Sequence, residues 1–145
     1  MQLIDSGYLA ESGKSIAIVK YKGKKYNGIA RLHPEDKEAG LASKYTGCRY
    51  AELRAEIKAL KAEYKKEKIA CEECRKFVKA CLQYKNFDKE SPTAKAMFRQ
   101  LNRRIKKVND LADKINQKIS DLDIAIRQKD IVHNALERKK KNSTK

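Results

Sequence analysis

Cys71, Cys74 and Cys81 come nearest in type and spacing to residues that perform chemistry, because a Cys-x-x-Cys pair with a third thiol nearby suggests zinc or redox work. All three, however, fall on apolar positions of a seven-residue repeat, where a reduced cysteine is an ordinary small hydrophobe. Cys48 lies ~35 Å from Cys71 by helical rise, and His133 belongs to the far end of the same rod. One chain therefore offers at most three ligands, all on one helix, against the four of a structural zinc site. Only two chains pooling their cysteines would complete one, so no metal and no cofactor are expected. Gly13-Lys14-Ser15 suggests a phosphate-binding loop, but position 8, where the motif needs its first glycine, is Tyr8, and Gly7 is one place early. Ser15 also opens a β-branched run where that motif would start a helix. His33 precedes Pro34 as a helix-start residue, and His133 sits on a seam position as a packing residue. Nothing assembles a nucleophile, a base and an orienting group, so the expectation is a protein that is not an enzyme.

The more informative chemistry is charge on one side. Arg54, Lys61, Lys68 and Arg75 recur once per heptad, with Lys58, Lys65 and Lys79 just outside them. The other flank carries Glu52, Glu56, Glu63 and Glu73. Asn102, Asn109, Asn116 and Asp123 are expected to face the basic row across the seam. Such a strip fits tracking of phosphates without reading bases. Arg99, Arg103, Arg104, Lys106 and Lys107 add a cluster beside Tyr84 and Phe87, and the N-terminal hairpin mixes Lys20, Tyr21, Lys22, Lys24, Lys25 and Tyr26. Cations among ring faces are what single-stranded nucleic acid uses.

These residues need a long scaffold. Tyr50, Leu53, Ile57, Leu60, Tyr64, Cys71, Cys74, Val78 and Cys81 recur at spacings of three and four, broken only at Glu67. Phe98, Leu101, Ile105, Val108, Ala112, Ile115, Ile119, Leu122 and Ile126 do the same. Two helices closing an antiparallel coiled-coil hairpin follow, spanning residues 48–138 with the turn at about 85–92. Ser91 and Pro92 form the start of the second helix. The expected register sets Val78 against Leu101, Cys74 against Ile105, Cys71 against Val108, Tyr64 against Ile115 and Ile57 against Leu122. An apolar flank remains, and through Ile69, Phe77, Met97 and Leu111 it predicts a homodimer.

Residues 1–47 read as a small β-hairpin or sheet plus a short helix. Leu3 and Ile4 mark an edge strand, residues 15–21 and 26–32 pair around Lys22-Gly23-Lys24, and a helix starts at Pro34 and ends near Lys44. Thr46-Gly47 then turns the chain into the first long arm. The sheet is expected to pack on the open end of the hairpin near Ile131, Val132 and Leu136. Residues 139–145 read as a basic, disordered tail. The fold class is thus α+β, mainly α.

With 35 Lys and Arg against 19 Asp and Glu, the chain carries a formal charge of +16, which calls for an anionic partner. The excess grows toward the C-terminal third, with 15 basic and 6 acidic groups in residues 91–145. No stretch reaches the ~20 apolar residues of a membrane span and no signal peptide is evident, so a cytoplasmic location without membrane contact is expected.

The stretch from Tyr21 to Asp36, Tyr-Lys-Gly-Lys-Lys-Tyr-Asn-Gly-Ile-Ala-Arg-Leu-His-Pro-Glu-Asp, followed by a long helical hairpin with Lys85-Asn86-Phe87 near its turn, resembles small uncharacterised accessory proteins of phages and prophages in Gram-positive hosts. The resemblance covers most of the chain after Ser15 and implies action in the host bacterial cytoplasm. Within that class it points to anti-CRISPR inhibitors, though the basic charge departs from the acidic inhibitors that mimic DNA. The leading expectation is a binding protein that inhibits an RNA-guided nuclease through its guide RNA or ribonucleoprotein. A phage DNA- or RNA-binding accessory protein and a structural coiled-coil adaptor are the alternatives.

Overall fold

A computed structural model describes residues 1–9, 13–31 and 44–143, with side chains for 47–127 of the helical part. Three antiparallel strands are followed by two long helices, so the α+β, mainly α class holds. The strands are β1 (Gln2–Leu9), β2 (Lys14–Tyr21) and β3 (Lys24–Arg31), ordered β1-β2-β3. Helix α1 spans Lys44–Leu82 and helix α2 spans Pro92–Ser143. The expected short helix after Pro34 lies outside the described residues.

β2 and β3 close through a two-residue turn, with Lys22 at φ 49° and Gly23 at φ 80°. Two successive positive φ values match the right-handed strand twist, which is why glycine takes the second place. β1 is a full partner of β2 rather than a short edge fragment, with a register break between Leu3 and Asp5. Lys14 and Ser15 open β2, and Ser15 is buried, so the Gly13-Lys14-Ser15 stretch does not lead into a helix as a phosphate-binding loop would.

The chain divides into two compact units, Met1–Ala59 with Asn116–Lys145, and Leu60–Ile115. In the first unit the sheet packs on the opening turns of α1, and the side chains of Ile131, Val132 and Leu136, where the sheet was expected, lie outside those described. Its core is built of small residues: Ala17 and Ala30 from the sheet meet Ala51, with Tyr50 alongside. A Cβ on Gly28 would collide with the backbone of Ala51 and Ala55, and one on Gly47 would collide with Ser15 Oγ. Gly47 therefore lies inside the helix and not in a turn, because the helix can approach β2 only where no side chain intervenes. Leu53 and Ile57 are buried on α1, where Tyr50 Oη donates to Ala125 O of α2 at 3.0 Å.

In the second unit α1 and α2 run antiparallel. Ser91 caps α2: its Oγ accepts from Ala94 N at 3.1 Å and donates to Asp88 O at 2.9 Å, with Pro92 as the first helical residue. Cys71, Val78, Ala94, Leu111 and Ile115 are buried between the helices. Leu111, at 4% exposure, is thus a packing residue of its own chain and not part of an outer dimer face.

The facing register also differs from expectation by about one helical turn. Residue 67 should meet α2 near residue 112, yet Lys107 Nζ reaches Glu67 Oε1 at 3.1 Å. In the first unit, Glu56 Oε2 lies 2.7 Å from Lys118 Nζ. Both glutamates are largely buried, so an alignment chosen on apolar contacts alone would strand their carboxylates, and desolvation selects the register that supplies lysines. The expected disordered tail is helical as far as Ser143.

Candidate nucleic-acid interface

The heptad cations separate into two groups. In the second unit Lys61, Lys65, Lys68 and Lys79 are exposed on α1, and Lys68 Nζ lies 5.9 Å from the Tyr64 ring centroid. Arg75, also exposed, pairs with Glu72 at 3.6 Å within the same helix. Exposed i, i+3 pairs of this kind hold a side chain only weakly, so Arg75 remains available to a stronger anion. In the first unit Arg54 and Lys58 are tied to the sheet: Arg54 Nη1 donates to Ile29 O at 2.8 Å and Lys58 Nζ to Asn27 Oδ1 at 3.1 Å. Those two line the margin of β3.

The cluster on α2 also separates. Arg99, Arg103 and Lys106 are exposed, Lys107 is committed to Glu67, and Arg104 is half-buried with its Nε enclosed. Arg104 is therefore part of the packing between the helices more than part of a binding face. Residues 60–115 still carry 16 Lys and Arg against 8 Asp and Glu. On the expected acidic flank, Glu56 is consumed by Lys118 and Glu52 pairs with Arg49 at 3.4 Å.

At the hairpin, Tyr21 and Tyr26 are half-buried. Both belong to the alternating set that includes Ala17, Val19, Gly28 and Ala30, the buried side of the sheet. Their rings therefore leave the cation-rich face, and Lys22 Nζ lies 5.4 Å from the Tyr21 centroid. Lys24 and Lys25 are exposed beside them.

Sequence reasoning overlooked Lys14, Asn27 and Arg31. Lys14 stands directly opposite Arg31, Lys20 opposite Lys25, and Ile18 opposite Asn27 on the outward side of the sheet. The signal was the alternation Lys14, Ile16, Ile18, Lys20, which puts both lysines on one face.

Of the expected dimer residues, Ile69 and Phe77 are exposed, Phe77 at 62%, and Met97 is half-buried. Cys71 is buried, Cys48, Cys74 and Cys81 are half-buried, and all four are free thiols. Among the described residues, no three His, Cys, Asp or Glu side chains converge as metal ligands, and no helix is long and apolar enough to cross a membrane. No family model, curated protein or solved structure matches the chain.

Proposed function

We propose that this is a non-enzymatic protein that binds nucleic acid through its phosphate backbone, serving a phage as an inhibitor of an RNA-guided nuclease by engaging guide RNA or the ribonucleoprotein. The observation that carries the nucleic-acid part is the row Lys61, Lys68 and Arg75, exposed at seven-residue intervals on one side of α1. Of the nearby acids, Glu67 is engaged by Lys107, and Glu72 makes only an exposed contact of 3.6 Å with Arg75 of the row, which a phosphate can displace. Cations about 10.5 Å apart along a helix neutralise phosphates without discriminating bases. The phage setting is carried by the sequence resemblance, and the exposed Ile69 and Phe77 suit a homodimer.

An electrophoretic shift with guide RNA, repeated with the effector nuclease present, tests the reading. A shift that requires the effector supports inhibition at the ribonucleoprotein, whereas an equal shift on any RNA or DNA favours the accessory-protein alternative. Absence of a shift at 100 mM salt, with no gain on adding effector, leaves the structural adaptor.

A further inference from the structure

The geometry points to the outer face of the β-sheet as a second docking surface for a nucleic-acid backbone. This inference rests on the nucleic-acid reading above but places the contact on other residues.

The strand registers arrange that face in four rows. One end row holds Gln2, Lys20 and Lys25, and the opposite end row holds Leu9, Lys14 and Arg31. Between them lie Asp5, Ile18 and Asn27, then Gly7, Ile16 and Ile29. Each end row thus sets two cations directly opposite each other on neighbouring strands. Like charges in that position repel and weaken a sheet, so neither pair contributes to holding this one together. An anion laid across each pair would turn the repulsion into attraction.

Dimensions favour a strand of phosphates as the occupant. Lys14 and Lys20 are six residues apart on β2, which puts the two cationic rows about 20 Å from each other. That is the reach of a polymer and not of a small anion. Asp5 lies on β1, so the track runs over β2 and β3. There Arg54 and Lys58 extend it past the β3 margin. A shallow hollow of about 250 Å³ opens at this side, lined by Ile18, Lys25, Tyr26, Asn27 and Lys58.

The central rows also say how the polymer is read. They offer isoleucines and one amide; Tyr21 and Tyr26 project to the other side of the sheet, Tyr26 reaching the hollow only at the β3 margin. Stacking on exposed bases is thereby excluded from this face, and backbone contact remains. Duplex and single strand are both substrates.

The test uses the full-length chain with a fluorescein-labelled 20-base-pair RNA duplex and with oligo(U) and oligo(A) of 20 nucleotides. The variant carries Lys14→Gln, Lys20→Gln, Lys25→Gln and Arg31→Gln; its comparison carries Lys61→Glu, Lys68→Glu and Arg75→Glu. The sheet variant should bind the duplex at least tenfold more weakly at 150 mM salt, with the log–log salt slope reduced by about 3, and oligo(U) and oligo(A) should weaken alike. Its melting temperature should equal or exceed that of the unmodified protein, because two repulsions are gone. If the quadruple variant melts lower, the Lys20→Gln, Lys25→Gln pair alone is used, with a slope loss of about 1 to 2 expected.

Unchanged duplex binding by the folded sheet variant, with loss in the α1 variant, overturns this inference and leaves the proposed function standing. The reverse result keeps the sheet surface and overturns the α1 row. Should the unmodified protein ignore all three nucleic acids yet bind poly-L-glutamate in a manner the sheet variant loses, both readings fail and the face belongs to an acidic protein.

Discussion

Lys107 of α2 meets Glu67 of α1 at 3.1 Å, at the one place where the apolar repeat of α1 is interrupted. The interruption is the register device: a carboxylate facing the partner helix needs a cation within reach, and a one-turn slide would remove it. Lys107 is half exposed, so the pair is worth little as raw stability. Lys107→Met should cost about 0.5 kcal/mol, and exchanging the charges through Glu67→Lys with Lys107→Glu should recover most of it. A urea-denaturation double-mutant cycle reads the coupling; a coupling of zero would mean the pair plays no part in alignment.

Gly28→Ala should be among the most damaging single-methyl additions in the chain. Its new Cβ would meet helix backbone at Ala51 and Ala55, which cannot rotate away, and overpacking of that kind costs about 3 kcal/mol. Gly47→Ala meets the hydroxyl and Cβ of Ser15 and no backbone atom, and gains helix propensity, so its net cost should be smaller, about 1 kcal/mol. Thermal unfolding of the two variants checks the order.

The second helix pair separates packing from surface within its apolar residues. Leu111→Ala should destabilise by about 2 to 5 kcal/mol, whereas Phe77→Ala should cost less than about 1 kcal/mol. If the protein is a dimer through its exposed flank, Ile69→Glu with Phe77→Glu dissociates it without lowering the unfolding midpoint of the monomer. Light scattering at high micromolar concentration decides, and a monomeric unmodified protein rules the dimer out.

Ser91→Ala removes the acceptor for Ala94 N and should cost about 1 kcal/mol, while Ser91→Asp should be nearly neutral. Denaturant midpoints of the pair distinguish loss of a cap from loss of an unspecific polar contact.

Much of this architecture was legible. Both long helices follow from spacings of three and four, and Ser91-Pro92 marks the second start within the residue observed. The strands follow from β-branched runs around Lys22-Gly23. The register was not legible from apolar residues alone, because Glu67 counted as a gap when it was an anchor. The face of α1 that receives the sheet was not legible for a related reason: Ala51, Ala55 and Ala59 recur every four residues as a flat face, and alanine carries almost no weight in a hydrophobic pattern. What identifies that face is the want of side chains on it, matched by Gly28 and Gly47. At the candidate site, the α1 row could be read from its spacing, but the sheet rows depend on which residues of neighbouring strands stand opposite.

The first unit is assembled from both ends of the chain, Met1–Ala59 and Asn116–Lys145, while the second is the uninterrupted stretch Leu60–Ile115. During synthesis the middle stretch can complete itself, whereas the first unit has its sheet and the opening turns of α1 early and waits for the part of α2 made last. Loop closure over such a separation is slow, which leaves Tyr50 and Glu56 of α1 without their α2 partners in the nascent protein. A chain cut after residue 115 would retain every contact of the second unit and permanently lack the helix that Tyr50 and Glu56 require.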